Sequence, residues 1–87
     1  MTHSLKTWPS EFAAVLDGRK TFEYRDARDR DFSVGDTLRL REWCPVEESY
    51  TGRVEEREVT YILRGSFGVP DGYAVLAIAK QRTEPGP

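Results

Sequence analysis

The chain has 87 residues, of which 32% are charged and 38% are hydrophobic, and its formal net charge is −2. This length predicts one domain, because two halves would each be too small to bury a core. The net charge argues against a general polyanion-binding protein, since such domains usually carry a basic excess. A single cysteine excludes an intramolecular disulfide, and Cys/His metal-ligand spacing is absent, so we expect neither a metal nor a cofactor.

The apolar segments of the sequence are short. None approaches the roughly 20 residues that cross a bilayer, and the first residues do not resemble a signal peptide. The sequence therefore predicts no membrane partner and, by default, a cytoplasmic location. It does not determine the oligomeric state, for which we expect a monomer. The charge is uneven, since residues 19–41 carry seven basic and five acidic residues. This segment predicts a mild local positive field.

The first predicted element is a short strand over residues 2–7. Its polar and apolar residues alternate loosely, with Leu5 as the apolar anchor. His3 and Lys6 are its polar members, and we expect both side chains to face the solvent.

A helix is predicted to begin at Trp8-Pro9 and to end at Gly18. Proline suits the first turn, where its missing N–H costs nothing, and glycine can adopt the left-handed conformation that closes a helix. We expect Thr7 or Ser10 to cap the first turn. An alternative for Trp8 is that its ring forms a platform for a ligand. Helical spacing predicts a core-facing stripe formed by Trp8, Phe12, Val15 and Leu16.

The segment that follows the helix carries four charged side chains beside a glycine and reads Gly18-Arg19-Lys20-Thr21-Phe22-Glu23-Tyr24-Arg25. Residues 21–25 alternate as a strand does, so Phe22 and Tyr24 point to one side and Glu23 and Arg25 to the other. Polar side chains on one face of a strand usually meet water. Here a tight turn brings Lys20 close to Glu23 and Arg25, which predicts a shared ion-pair cluster.

Three further strands are predicted. One spans residues 37–43, and a long returning strand spans residues 54–63, with a change of apolar face that is typical of a β-bulge. A glycine-punctuated crossover over residues 64–72, anchored by Phe67 and Val69, leads to the last strand at residues 73–79. That strand is apolar on both faces, which is typical of a strand covered on both sides.

These elements predict one domain over residues 1–80 and a disordered Pro/Gly tail over residues 81–87. The order of elements is strand, helix and four strands. A mainly β (α+β) fold follows, and the simplest arrangement is a small, mostly antiparallel barrel of about five strands with the helix packed against it.

The ion-pair cluster is the candidate site, because barrel mouths are common ligand positions. Glu23 can accept hydrogen bonds from an exocyclic amine, while Lys20 and Arg25 can hold carbonyl or phosphate oxygens. This combination suits a nucleobase or a nucleotide. The alternative is a buried ion-pair network that only closes the barrel.

Other chemistries find little support in the sequence. A nucleophilic triad needs a base beside the nucleophile, and His3 is the sole histidine, which disfavours a serine or cysteine hydrolase. The charged loop at residues 26–31 lacks the glycine and the terminal glutamate of a calcium loop, and residues 65–68 are not followed by the Gly-Lys-Ser/Thr of a phosphate-binding loop.

Several spaced motifs resemble one known family. The signature of ASCH domains, which are members of the PUA-like superfamily, is Gly-x-Lys-x-x-Glu-x-Arg, and it is similar to Gly18-x-Lys20-x-x-Glu23-x-Arg25. Three further motifs resemble a small bacterial and phage branch of unknown function: His3-x-Leu5-Lys6, Phe12-x-Ala14-Val15 and Arg30-x-Phe32-x-Val34-Gly35-Asp36-x-Leu38-x-Leu40-x-Glu42. The resemblance extends over residues 3–80.

The resemblance implies a compact β-barrel with a cleft beside the signature. ASCH domains are proposed to bind RNA, so Lys20, Glu23 and Arg25 would line the cleft and Gly18 would shape its entrance. One ASCH branch looks like an amidohydrolase of acetylated cytidine that pairs the signature lysine with a threonine. Here Glu23 stands at the position of that threonine, which removes the expected nucleophile.

We therefore expect a binding module for RNA or a nucleotide-like ligand rather than an enzyme. The alternative is a small hydrolase acting on an N-acylated or otherwise modified nucleoside, with Glu23 as the general base and Lys20 polarising the carbonyl. A third hypothesis is an interaction protein in which the cluster is only structural. The candidate ligand-binding residues are Lys20, Glu23, Arg25, Gly18, His3 and Lys6.

Overall fold

A computed structural model describes residues 1–81, which form five strands and one helix. The elements are β1 (Thr2–Thr7), α1 (Pro9–Leu16), β2 (Phe22–Asp26), β3 (Thr37–Cys44), β4 (Ser49–Arg64) and β5 (Tyr73–Ala79). Most of the predicted disordered tail, residues 82–87, lies outside the described residues. Gln81 is exposed, and its Nε2 donates a hydrogen bond to Thr37 Oγ1 at 2.6 Å. Among residues 1–81, no helix is long and apolar enough to span a membrane.

The five strands form one sheet in the order β1-β3-β4-β5-β2. This sheet curls into a half-barrel, which confirms the predicted mainly β fold with one helix. Most neighbouring strands are antiparallel, but β1 and β3 are parallel. Because β1 and β2 are the two edges and no backbone ladder within residues 1–81 joins them, the expected barrel is open on one side. Helix α1 lies between β1 and β2 in the chain and so links the two edges.

Strand β1 alternates between the core and the surface. Leu5 is buried and Lys6 is exposed, as predicted. The prediction that His3 faces the solvent is wrong, since only 6% of this residue is exposed. Its Nε2 lies 2.8 Å from Asp36 Oδ2, and its ring centroid is 4.6 Å from that of Phe32. The carboxylate partner makes burial of the polar imidazole tolerable.

Helix α1 begins without a side-chain cap. Its N-cap residue is Trp8, in an extended conformation, and Pro9 follows it. The predicted capping by Thr7 or Ser10 is therefore wrong, and the Thr7 hydroxyl instead donates to the Leu5 carbonyl oxygen at 3.4 Å. Proline in the first turn removes one of the N–H groups that a cap would satisfy.

Helix α1 packs on the core through two of its residues. Phe12 and Val15 are buried, as predicted. The other two expected core positions, Trp8 and Leu16, are instead 54% and 37% exposed. Trp8 is the N-cap residue and Leu16 is the last residue of α1, so these two positions flank the buried pair. The exposed ring of Trp8 becomes available to the site described below.

Strands β3, β4 and β5 supply most of the core. The predicted bulge in β4 lies between Val59 and Tyr61, where the register with β5 shifts. The connection from β4 to β5 joins antiparallel neighbours. Of its two predicted anchors, Phe67 is 89% exposed and is therefore not an anchor, whereas Val69 is partly buried. The apolar core consists of Leu5, Phe12, Val15, Phe32, Leu38, Leu40, Val59, Ala74, Leu76 and Ile78.

Candidate functional site

The open side of the half-barrel holds the predicted ion-pair cluster. The two edge strands approach each other here, because Arg25 Nη2 in β2 donates a hydrogen bond to the backbone carbonyl oxygen of Lys6 in β1 at 3.2 Å. A side chain thus bridges a gap that no backbone ladder spans within the described residues. We call the hollow at this gap, which is lined by the end of β1, the start of α1, Lys20 and β2, the seam pocket. Its volume is about 450 Å³.

Glu23 is the centre of the ion-pair cluster and is only 1% exposed. Its Oε1 accepts hydrogen bonds from Arg25 Nε at 3.0 Å and from Arg25 Nη2 at 2.7 Å. Its Oε2 lies 3.1 Å from Lys20 Nζ. Lys20 Nζ also donates to Glu11 Oε1 at 2.9 Å, and this hydrogen bond lowers the pKa of Glu11. The predicted cluster of Lys20, Glu23 and Arg25 is therefore present, with Glu11 as an additional member.

Strand β2 turns its acidic residue inward and its aromatic residues outward. The predicted alternation is correct, with Phe22 and Tyr24 on one side and Glu23 on the other. The polar side, which would usually meet water, faces the interior, while Phe22 and Tyr24 are 45% and 49% exposed. Burial of a lone carboxylate costs several kcal/mol, and the two cations beside Glu23 compensate this cost.

A tight turn after α1 delivers Lys20 to the cluster. Gly18 has a φ of 84°, a conformation that glycine adopts without steric cost. The Gly18 N–H donates to the Val15 carbonyl at 3.2 Å, and the Lys20 N–H donates to the Ala14 carbonyl at 3.0 Å. These bonds satisfy carbonyl groups that the end of the helix leaves free. Gly18 itself lines a neighbouring hollow with Lys20 rather than the seam pocket, so it acts through the turn.

Three half-exposed aromatic side chains line the seam pocket beside the charges, namely Trp8, Phe22 and Tyr24. Lys20 Nζ lies 5.6 Å from the Phe22 ring centroid. Sequence reasoning had named only Trp8, and only as an alternative. The sequence places Trp8 directly after β1 and puts Phe22 and Tyr24 on one side of β2. Neither observation shows that these two segments meet.

The remaining predicted site residues divide between two places. Lys6 lines the seam pocket. His3 lies apart from it, against Asp36. The Asp36 carboxylate also accepts a hydrogen bond from the Ser33 N–H at 2.9 Å and pairs with the N-terminal ammonium group of Met1 at 3.1 Å. The hydrogen bond from His3 is the main cause that lowers the pKa of Asp36 to about 2.

The seam pocket offers both hydrogen-bond donors and acceptors beside flat apolar surfaces. Its cations are Lys6, Lys20 and Arg25, and its carboxylates are Glu11 and Glu23, so it carries a small positive excess. Glu23 Oε2 contacts Lys20 but accepts no well-aligned hydrogen bond from the described residues. Within residues 1–81, no group of three or more acidic, histidine or cysteine side chains is arranged to hold a metal ion. The arrangement can bind a planar ligand that carries oxygens and amino groups.

Comparison with known proteins places these residues in a family. A family model described as a domain of unknown function (DUF3850) matches residues 2–78. The chain belongs to the DUF3850 family. An uncharacterized 12.9 kDa protein in the GpA 3′ region of Escherichia phage P2 is 41% identical to this DUF3850 chain over 58 residues. The aligned segment covers 67% of this chain and 50% of the phage protein, so the chain spans about half the length of that relative. Every residue of the seam pocket lies within the DUF3850 match.

Proposed function

We propose that this chain is a binding module for RNA or a nucleotide-like ligand and that the seam pocket is its binding site. The observation that carries the proposal is the meeting of exposed aromatic rings with charged groups in one hollow. Nucleobases stack on aromatic side chains, and RNA-binding proteins read unpaired bases in this way. Trp8, Phe22 and Tyr24 supply such rings, while Lys20 and Arg25 supply donors for carbonyl and phosphate oxygens.

The size of the seam pocket supports a small planar ligand. Its volume of about 450 Å³ falls within the roughly 300–1,000 Å³ that is usual for small-molecule sites. The resemblance of Gly18-x-Lys20-x-x-Glu23-x-Arg25 to the ASCH signature also supports an RNA-related ligand, because ASCH domains are proposed to bind RNA. By this resemblance, the half-barrel would be a PUA-like fold.

The contacts of Glu23 favour binding over the alternative hydrolase. A general base needs a carboxylate oxygen within reach of the proton that it removes. Here Oε1 already accepts two hydrogen bonds from Arg25, and Oε2 faces Lys20. Glu23 is only 1% exposed and its Oε2 is buried, so neither oxygen is open to a substrate water. We expect no turnover of N-acetylcytidine in a chromatographic assay. Turnover that Glu23→Gln abolishes, while circular dichroism shows this variant to be folded, would establish the hydrolase instead.

Calorimetric titration with ribonucleosides, their 5′-monophosphates and short single-stranded RNAs tests the proposal. The variant Lys20→Met removes a pocket cation but keeps the aliphatic chain, and we expect it to weaken binding about tenfold or more, as for the loss of one charged hydrogen bond. The matched control is Arg19→Met, one residue away in the same turn, whose side chain is 71% exposed and pairs with Asp17. We expect this control to bind as the wild type does.

Two results would contradict the proposal. One is a wild-type chain that binds none of these compounds. The other is an equal loss of affinity in Lys20→Met and Arg19→Met, since this would indicate a general charge effect. Circular dichroism of each variant checks that the domain remains folded.

A further inference from the structure

A second group of cations lies on the outer face of the sheet, away from the core. The burial patterns of β1 and β3 place Lys6, Arg39 and Arg41 on the side opposite the buried residues of these strands. Lys6 and Arg41 are partners in the parallel β1–β3 ladder. Trp43 and Tyr50 are partners in the β3–β4 ladder. We call this set the basic–aromatic face, and it comprises Lys6, Arg39, Arg41, Trp43 and Tyr50.

Aromatic rings position two cations of the basic–aromatic face. Lys6 Nζ lies 4.1 Å from the Trp43 ring centroid, and Arg41 Cζ lies 3.9 Å from the Tyr50 ring centroid. The two rings contact each other edge to face at 5.0 Å. A ring attracts a cation without neutralising its charge. The cations are therefore held in place with N–H donors still available to an anion.

The same cations lack acidic partners. In the described part of the chain, Lys6, Arg39 and Arg41 form no ion pair, whereas Arg19, Arg25 and Arg28 each pair with a neighbouring carboxylate. Glu56 is the ladder partner of Arg39 on β4, yet the two side chains form no ion pair. A concavity of about 300 Å³ lies against this face, and Arg39, Arg41 and Tyr50 contribute to its walls. The basic–aromatic face thus offers unneutralised positive charge around a hollow, in a chain of net charge −2.

The seam pocket and the basic–aromatic face meet at Lys6. This residue lines the seam pocket, and its ammonium group lies over Trp43. A ligand that extends from the seam pocket over edge strand β1 reaches the cations of β3 next, because Lys6 and Arg41 are adjacent in the ladder. A mononucleotide would not need this second group of charges, but a polynucleotide carries a phosphate at every step.

We infer that the basic–aromatic face binds the phosphates of a single-stranded nucleic acid, one base of which occupies the seam pocket. This inference rests on the proposed function and extends it from a nucleotide to a strand. A single strand is required, because a base inside a duplex is stacked and paired and cannot enter a side pocket. The charges of Lys6, Arg39 and Arg41 complement the phosphates, which supply most of the salt-dependent affinity of such complexes.

Fluorescence anisotropy with labelled decauridylate and decaadenylate tests the inference, with the corresponding mononucleotides measured by calorimetry. The test variant is Arg39→Gln/Arg41→Gln. The control, Arg30→Gln/Lys80→Gln, removes the same charge from two exposed residues that line neither site. We expect the test variant to lose about tenfold or more in oligonucleotide affinity and to keep its mononucleotide affinity. Its log–log salt slope should fall by about 1.4, which is about 0.7 for each lost phosphate contact.

The single variant Arg39→Gln repeats the test at an exposed side chain, and we expect its salt slope to fall by about 0.7. Unchanged oligonucleotide affinity in the double variant, or an equal loss in the control, would overturn the inference. So would equally tight binding of polyglutamate. A wild type that binds mononucleotides but no oligonucleotide more tightly would overturn the inference and leave the proposed function standing. A wild type that binds neither would overturn both.

Discussion

Replacement of Glu23 by glutamine removes the negative charge at the centre of the ion-pair cluster but keeps the shape of the side chain. A glutamine side chain has one acceptor oxygen and one NH₂ group, so it cannot serve both cations. With its oxygen toward Arg25, it keeps the hydrogen bonds that Oε1 now accepts, and its NH₂ group then faces Lys20 Nζ, which lies 3.1 Å from Oε2 in the wild type. We therefore expect Glu23→Gln to destabilise the domain.

The magnitude follows from the burial of the three side chains. Breaking a fully buried ion pair by removing one partner costs about 3–5 kcal/mol. The Lys20 and Arg25 side chains are 14% and 24% exposed, and Lys20 keeps its contact with Glu11, so water and the second acid reduce the loss. We expect the free energy of unfolding to fall by about 2–3 kcal/mol, which lowers the melting temperature of a domain of this size by about 10–20 °C.

Urea unfolding followed by circular dichroism measures this effect, and Asp26→Asn is the matched control. Asp26 accepts hydrogen bonds from Arg28 two residues away, as Glu23 does from Arg25, but the Asp26–Arg28 pair is exposed. Exposed pairs contribute little to stability, so the control should unfold close to the wild type. If Glu23→Gln and Asp26→Asn unfold at the same urea concentration, the buried carboxylate does not stabilise the seam and this reasoning is refuted.

Three further predictions concern binding, pH and the core. Trp8→Ala should weaken nucleotide binding, measured by calorimetry, about tenfold, because it removes one stacking contact. Its melting temperature should change little, because Trp8 is 54% exposed. Unchanged affinity would show that Trp8 is not part of the site. Hydrogen bonding from His3 lowers the folded pKa of Asp36 from 3.8 to about 2, so the stability that the carboxylate confers above pH 4, about 2 kcal/mol, should disappear as the pH falls towards 2. Urea unfolding between pH 4 and pH 2 should show this loss of stability in the wild type and not in Asp36→Asn. If stability falls equally with pH in both proteins, Asp36 is not the group responsible. Leu40→Ala, at a position with 0% exposure, should lower the free energy of unfolding by about 2–5 kcal/mol. Leu16→Ala, at a residue that is 37% exposed, should lower it clearly less. Equal urea midpoints for the two variants would contradict the assignment of Leu40 to the core.

Local patterns in the sequence predicted the elements well, because strand and helix periodicities extend over only a few residues. The predicted strand over residues 2–7 has the bounds of β1, and the predicted strand at residues 73–79 has those of β5. The parallel pairing of β1 with β3 was not predicted, since it joins Thr2 to Thr37 across the whole helix and β2. Alternation alone does not carry that information.

Periodicity also leaves open which face of a strand lies inside. The alternation of β2 was correct, but the buried member is Glu23 and the exposed members are Phe22 and Tyr24. The reason is the pair of cations that compensate the carboxylate. In the same way, burial of His3 depends on Asp36, a partner 33 residues away, so the composition of β1 gave no indication of it.

The charged part of the site was predictable because its members lie within one short segment. A tight turn ends at Lys20, and Glu23 and Arg25 follow in β2. Glu23 and Arg25 are two residues apart in one strand, so their side chains point to the same side. The meeting of Trp8 with the rings of β2, and the contribution of Lys6, depend on the approach of the two edge strands. Arg25 bridges these strands through the Lys6 carbonyl oxygen. Only the tertiary arrangement establishes that half of the site.

The most direct test of the seam pocket as the binding site is an NMR titration of the isotope-labelled chain with nucleoside 5′-monophosphates. The two tryptophans provide an internal comparison, because Trp8 lines the pocket and Trp43 lies on the basic–aromatic face. We predict that the largest shifts occur at the Trp8 indole and the amides of residues 20–25, with a small response at the Trp43 indole. Absence of shifts, or shifts centred on Trp43 and away from residues 20–25, would contradict the account.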